Sequence, residues 1–292
     1  MTAADDAWGH ASELRRQVEA VEPGRRADLL ARTAQDLRAT IVRTVAGAGI
    51  GHLGGDLSVI DILTTLYFGV LRVRPDEPGW ADRDRLILSK GHSAVSLYAV
   101  LARAGFMPEG LLQQFACPLS PLGAHPNRRK VPGVEANTGA LGHGLPFGVG
   151  CALAARMDGS SRRVFVVLGD GELQEGSNWE AAMLAGHRRL VQLTAVVDRN
   201  GLQQGARTED TNRLEPLADK WRSFGWEVEK VDGHDHGALL AVLTRSPADR
   251  PRCVLARTVK GKGVSFMEGR AEWHHRVPVL AQVEAALKEL AG

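Results

Sequence analysis

Little in this 292-residue sequence is extreme, and each shortage closes off a class of protein. There are only three cysteines (Cys117, Cys151 and Cys253), too few and too scattered for a disulfide framework or a Cys-x-x-Cys metal pair. That usage suits a reducing interior, with the thiols acting as small packing residues. Net charge is only +2, so nothing in the balance asks for nucleic acid or an acidic surface. No apolar run approaches the ~18 residues a bilayer-spanning helix needs. The opening residues MTAADDAWGH lack the basic and apolar pattern of a secretory leader. Neither an internal repeat nor a low-complexity segment is visible. What remains is a chain with 44% hydrophobic and 24% charged residues, ordinary for a globular protein and long enough for one or two cored domains. The expectation is a cytoplasmic enzyme.

Residues 1–25 are polar and end in Glu22-Pro23-Gly24, which reads as an arm or short helix outside the core. From 27 to 47, Leu29, Leu30, Thr33, Leu37, Ile41 and Val45 recur at helical spacing. Another helix is expected from Asp56-Leu57-Ser58, with 59–70 apolar enough to be buried. Strands are expected at 85–89, 164–168, 193–197, 226–231 and 252–258, and helices at 93–104, 145–157, 235–246 and 278–290, with a helix opening near Glu175. Residues 117–138 are loop. Strands alternating with helices predict an α/β fold: a doubly wound, mostly parallel sheet with helices on both faces. With no evident linker, 26–292 reads as one domain.

The most informative stretch is RVFVVLGDGELQEGSNWEAAMLAGHRRLVQLTAVVDRNGLQ, from Arg163 to Gln203. One buried strand ends in Gly169-Asp170-Gly171 and the next in Asp198-Arg199-Asn200. In an open parallel sheet, ligands gather at the carboxyl ends of strands. An Asp carboxylate, an Asn amide oxygen and a nearby carbonyl form a hard oxygen site suited to Mg²⁺, with positions left for phosphate oxygens. Gly169 and Gly171 let the backbone approach a ligand closely.

Four glycine-framed histidine segments lie elsewhere: Gly51-His52-Leu53-Gly54, Ser89-Lys90-Gly91-His92, Gly123-Ala124-His125-Pro126 and Gly142-His143-Gly144, the last following Asn137-Thr138-Gly139-Ala140-Leu141. Trp273-His274-His275 follows Lys260-Gly261-Lys262-Gly263. Any lone His is more often packed or solvated than catalytic, but several in loops at one sheet end suit proton transfer near neutral pH. Their spacings do not preset a zinc site. His234-x-His236, the exception in form, reads as a loop and helix cap.

These motifs, in this order and over about residues 30–280, resemble the N-terminal domain of the transketolase family, and GDG followed after some thirty residues by Asn is similar to the thiamine diphosphate fingerprint. One departure is Arg199, where the fingerprint has the first of two Asn residues. The resemblance implies the thiamine diphosphate-binding fold, thiamine diphosphate, and Mg²⁺ or another divalent cation such as Ca²⁺ or Mn²⁺. It implies metal ligation by Asp170, Asn200 and the Leu202 carbonyl, with the Gly171 amide on the diphosphate. Gly139, Ala140 and Leu141 would meet the aminopyrimidine, and His92 the diphosphate and thiazolium. His52 would touch substrate near the reacting carbon, His125 would help bind the sugar, and His274, or less readily His275, would bridge cofactor and substrate oxygens. Glu175 and Glu180 match two buried carboxylates of a proton network linking paired active sites.

The resemblance ends with the first domain. The segment carrying the pyrimidine-activating Glu and most sugar-phosphate-gripping residues has no counterpart here. The implied protein is the N-terminal subunit of a split transketolase, inert alone and active with a partner of about 300 residues in a heterotetramer of two of each chain. It would move a two-carbon ketol unit from a ketose phosphate to an aldose. The alternatives are half of a pyruvate-using carboligase similar to 1-deoxyxylulose-phosphate synthase, a non-catalytic thiamine diphosphate-binding module, or the first part of one long chain. The ending LAQVEAALKELAG closes a helix on Gly, as a natural stop would. The basic run Asn127-Arg128-Arg129-Lys130 reads as a solvated loop or a sugar-phosphate contact.

Overall fold

Alternation of apolar residues along each strand divides the core into two halves, and a computed structural model of the chain, describing residues 14–246 and 249–291, shows how. A short helix at 14–20 (α1) leads into α2 (Pro23–Ala48) and α3 (Leu53–Thr65). There follow β1 (Arg85–Leu88), α4 (Ala94–Arg103), α5 (Gly144–Met157), β2 (Val164–Gly169), α6 (Gly176–His187) and β3 (Leu193–Arg199). The chain continues through α7 (Thr208–Thr211), α8 (Leu217–Ser223), β4 (Glu227–Asp232), α9 (His236–Thr244), β5 (Arg252–Arg257) and α10 (Leu280–Leu290). Among the described residues the five strands form one sheet in the order β1-β2-β3-β5-β4, every pairing parallel.

Successive strand side chains point to opposite faces. Leu86, Leu88, Phe165, Val167, Val196, Val254 and Ala256 pack with α2, α3, α4, α9 and α10. Their neighbours Ile87, Val166, Leu168, Ala195, Val197, Cys253 and Leu255 pack with α5, α6 and α8. A sheet covered on both sides is what near-continuous apolar strands require, and the expected α/β architecture is present. Helix α2 presents Leu30, Ala34, Leu37, Ile41 and Val45 as one buried stripe. It stops where Gly49 turns left-handed (φ 68°) and returns its N–H to the Val45 carbonyl.

Several expectations need correction. The short helix before Pro23 is not outside the core, because Val18 is 1% exposed and joins the α2 side; residues 1–13 of the expected arm lie outside the described residues. The stretch Leu53–Val70 is 18 residues long with mean hydropathy 1.3, enough to cross a membrane by length and composition, yet 94% of it is buried inside the fold. It is the central helix, begins at Leu53 rather than Asp56, and ends in a π-helical turn over Leu66–Val70. Its interruptions by Asp56, Ser58, Asp61, Thr64 and Thr65, all buried, hide its apolar length from a simple run count. Cys253 is a core thiol and Cys151 is half-buried, but Cys117 is exposed and packs nothing away from water. Helix α8 was not expected; its buried Leu217, Ala218 and Trp221 are spaced too briefly to signal a period.

Helices α6 and α8 meet at a point that only glycine allows. A Cβ on Gly186 would stand 1.7 Å from the Phe224 carbonyl oxygen, a backbone atom fixed by the turn that follows α8. Nearby, Trp226 Nε1 donates to the Ala182 carbonyl at 2.8 Å. Gly186→Ala should therefore destabilise the chain by about 2–3 kcal/mol, as overpacking does, read as a lowered urea midpoint; an unchanged midpoint would show the contact to be soft.

Candidate active site

Four parallel strands deliver their carboxyl ends to one place: Ser89–His92 after β1, Asp170–Gly171 after β2, Arg199–Leu202 at the end of β3, and Thr258–Lys260 after β5. The N-terminal loop of α3 (His52 to Gly55) and the turn Ala271–His274 close over them. The resulting cavity is about 590 Å³. His52, His92 and His274 line it with Lys90 and Lys260, as do Asp170, Asn200 and Leu202.

Two lysines set its charge. Lys90 Nζ donates to Asp198 Oδ2 at 2.6 Å and to the Gly55 carbonyl at 3.1 Å. Asp198 also accepts from Ser58 Oγ at 2.6 Å and from the Thr258 hydroxyl. Burial alone would raise the Asp198 carboxyl, but the Lys90 charge and these donors hold it below the usual range. Lys260 meets no carboxylate at bonding distance among the described residues. It donates to His274 Nδ1 at 2.8 Å and stands 3.4 Å from the Leu202 carbonyl. Burial, and then the Lys90 charge, bring its ammonium down to about 8.

The histidines form a compact group. The His52 ring centroid lies 5.1 Å from His92, 5.4 Å from His274 and 4.6 Å from His275, and His92 lies 5.3 Å from His274. Burial, then His275 and the other cations, lowers His52 to about 4; burial, then Lys260, lowers His274 to about 3. Burial, then Lys90, holds His92 well below its ordinary value. All three are therefore neutral at pH 7. Because Lys260 occupies Nδ1 of His274, the neutral ring carries its proton on Nε2.

The structure brings most of the expected residues together. Gly139, Leu141, Gly171 and Glu175 line the cavity, whereas Ala140 is exposed beside it and Glu180 is not part of the wall. His125 is exposed, but its ring rests on Gly139, where a Cβ at φ +144° would sit 2.7 Å from His125 Cδ2. Both members of the His274-His275 pair reach His52. Glu175 and Glu180, expected to be buried, are exposed in this chain. The buried acid is Glu172, which accepts from the Ser89 hydroxyl, from Gly142 N at 3.0 Å and from Gly169 N at 3.1 Å. It stands directly after Gly171, so proximity to the motif was the available signal. Lys90, Lys260 and Asp198 were also overlooked as working residues, although each sits inside a glycine-rich or strand-end motif. His234 and His236 both bond the buried Asp61, and Asp235 caps α9 by accepting from Ala238 N at 3.0 Å.

The donor set fits a diphosphate with a divalent cation. Lys90 is paired with Asp198, whereas Lys260 has no carboxylate at bonding distance among the described residues and can meet an anion. Asp170, 1% exposed, with the Asn200 amide and the Leu202 carbonyl, supplies hard oxygens of the kind Mg²⁺ takes.

Comparison with known proteins gives a consistent picture. The family described as "Transketolase, thiamine diphosphate binding domain" matches residues 30–292. The chain is 47% identical over 265 residues to an apulose-4-phosphate transketolase subunit of Actinobacillus succinogenes, covering 90% of this chain and 96% of that protein. It is 41% identical to the 6-deoxy-6-sulfo-D-fructose transketolase subunit SqwG of a Clostridium species, covering 88% of this chain and 94% of that one. Among solved structures, transketolase from Campylobacter jejuni superposes with a TM-score of 0.85 at 29% identity, covering 90% of this chain but 42% of that one. The chain thus spans about two-fifths of that transketolase and nearly the whole of the two subunits.

The depressed imidazoles carry a stability consequence. In the unfolded chain each takes up a proton near pH 6.5; in the fold His52 and His274 do so only near 4 and 3. Between about pH 4 and 6.5 the unfolded state binds more protons, so stability rises with pH across that window and levels off above it. Urea unfolding should therefore show a lower midpoint at pH 5 than at pH 7.5, and His274→Gln should narrow the gap; an equal gap in both proteins would contradict the assignment.

Proposed function

From the premise that this chain belongs to the transketolase family as its thiamine diphosphate binding domain, we propose that it is the cofactor-holding subunit of a two-component transketolase. The observation that carries the reading is the convergence, at four strand ends, of two buried lysines, an Asp-Asn-carbonyl oxygen set and a cluster of neutral histidines. The chain accounts for nearly the full length of relatives named as transketolase subunits, which supports a partner carrying the remainder. That partner would have about 300 residues and assemble with this chain as two of each, in the cytoplasm.

Thiamine diphosphate, when bound, supplies the nucleophilic carbon that attacks a ketose carbonyl. The residues of this chain bind, orient and move protons. Lys90, Lys260, His92 and the Gly171 amide would face the diphosphate, and Asp170, Asn200 and the Leu202 carbonyl would hold Mg²⁺ or another divalent cation. Gly139, Ala140 and Leu141 would meet the aminopyrimidine from this side. His52 and His274, kept neutral by burial and by the neighbouring cations, are the groups to move protons at substrate oxygens as a carbon–carbon bond breaks, His52 as the acceptor and His274, its Nδ1 held by Lys260, as a donor through Nε2–H. His125 contacts the sugar. Glu175 and Glu180, exposed here, are placed to face another chain, and Glu175 opens α6 as its N-cap residue.

Native mass spectrometry of the protein from its own host tests the assembly. The expected result is a complex with a chain of similar size carrying thiamine diphosphate and a divalent cation; a homo-oligomer lacking both would remove the reading. Given that complex, a ketose phosphate should serve as donor and pyruvate should not. His52→Ala and His274→Ala should each lower turnover by about 10²-fold or more while the partner is retained. Pyruvate turnover would move the assignment to a carboligase, and a complex with no turnover on either donor would move it to a binding module.

A further inference from the structure

Arg199 occupies the position at which the chain departs from the two-Asn fingerprint, and its guanidinium joins two segments that the sequence keeps apart. Nη1 donates to Asp170 Oδ2 at 3.0 Å and to Thr208 Oγ1 at 2.8 Å. Nη2 donates to Glu209 Oε1 at 3.0 Å and to Glu215 Oε1 at 3.2 Å. The first contact lies at the end of β2; the other three lie in the segment that follows β3. That segment folds back on itself through a Leu202–Arg207 bridge, Gln203 N to the Ala206 carbonyl at 3.0 Å, and Thr208 N to the Gly201 carbonyl at 3.0 Å. It is tied to Asp170 a second time, by Gly201 N donating to Oδ2 at 2.6 Å. Residues 202–206 and Thr211 form one wall of the cavity.

The arrangement divides Asp170 between two tasks. Oδ2 is taken up by Arg199 and Gly201, while Oδ1 accepts, among the described residues, only from the adjacent Gly171 N–H at 2.8 Å. The fork geometry of arginine lets one side chain engage both sides, which a lysine point charge does not. We propose that Arg199 is a positioning residue that clamps the 201–215 loop to Asp170, so that Asp170 Oδ1, the Asn200 amide and the Leu202 carbonyl stand assembled before any ligand arrives. The clamp stands on this geometry alone; its effect on cofactor binding rests on the reading in the preceding subsection.

The sign of the effect follows from charge and population. A guanidinium beside a cation site would weaken it, but Glu209 and Glu215 outnumber that charge, so removing Arg199 mainly frees the loop. If the closed loop becomes a minority state, apparent affinity falls by the closed fraction.

Arg199→Met and Arg199→Lys in the full chain test the clamp. Amide exchange without ligand should accelerate at least tenfold across 201–215 in Arg199→Met, with β1 to β3 unchanged. Arg199→Lys should fall between Met and wild type. Thiamine diphosphate with Mg²⁺, titrated by calorimetry into the complex with the partner subunit, should bind at least tenfold more weakly when the chain carries Arg199→Met, and saturation should restore loop protection. Wild-type exchange in the loop of Arg199→Met overturns the proposal. So does a uniform acceleration of all amides with a lower urea midpoint, the mark of a merely structural residue. So does weakened exchange protection with unchanged affinity. A wild-type complex of this chain with its partner subunit that binds no thiamine diphosphate sinks the cofactor reading instead, and the ligand-free exchange then decides the clamp.

Discussion

One ion pair, shut away from water, ties the working segments of the site to each other. Lys90 and Asp198 meet with 2% and 0% of their side chains exposed. A buried pair of this kind is tolerated only if its remaining hydrogen-bonding capacity is met, and the partners that meet it come from two distant parts of the chain. Ser58 reaches in from α3, the Gly55 carbonyl from the turn that opens it, and Thr258 from the end of β5. Lys90 itself follows β1 and Asp198 ends β3. Four sequence-distant points, the first turns of α3, the ends of β1 and β3, and the end of β5, are therefore held in one geometry by a single charge and countercharge. Loss of either partner would leave the other as an uncompensated buried ion, which is the costly way to break such a pair.

The same pairing leaves one of the two lysines at the cavity without a carboxylate partner. Asp198 neutralises Lys90, and Lys260 is left facing imidazoles and a carbonyl. In that field the histidines cannot also be cations, and they stay neutral. The lysines carry the fixed charge, and the rings meet a ligand as neutral hydrogen-bonding groups.

Legibility in the sequence followed burial geometry. Helix α2 was readable because only one stripe is buried and its period survives. The strands were readable as short apolar runs, and their ends pointed to Asp170 and Asn200 because parallel sheets place ligands there. Helix α3 obscured its extent because every residue from Leu53 to Thr65 is buried, leaving no polar face to mark a period. The choice between Glu172, Glu175 and Glu180 could not be made from spacing, since burial of Glu172 depends on Ser89 and Gly142, which arrive from distant segments. Lys90 and Lys260 were given no role in the sequence, where they stand beside glycines; only the folded strand ends show them buried. His234 and His236 look like a metal pair in sequence, and Asp61, some 170 residues earlier, is what they hold.

The contact between α2 and α10 has a bearing on how the protein is made. Gln35 Nε2 donates to the Leu290 carbonyl at 2.9 Å across 255 residues, and Ala286 and Leu290 seal the same core as the α2 stripe. A ribosome adds roughly 5–20 residues per second, so Leu290 follows Gln35 by tens of seconds. Throughout that interval the greasy edge of α2 has no final cover. Nascent chains would thus expose that edge of α2 early and cover it only once the closing turns of α10 have emerged.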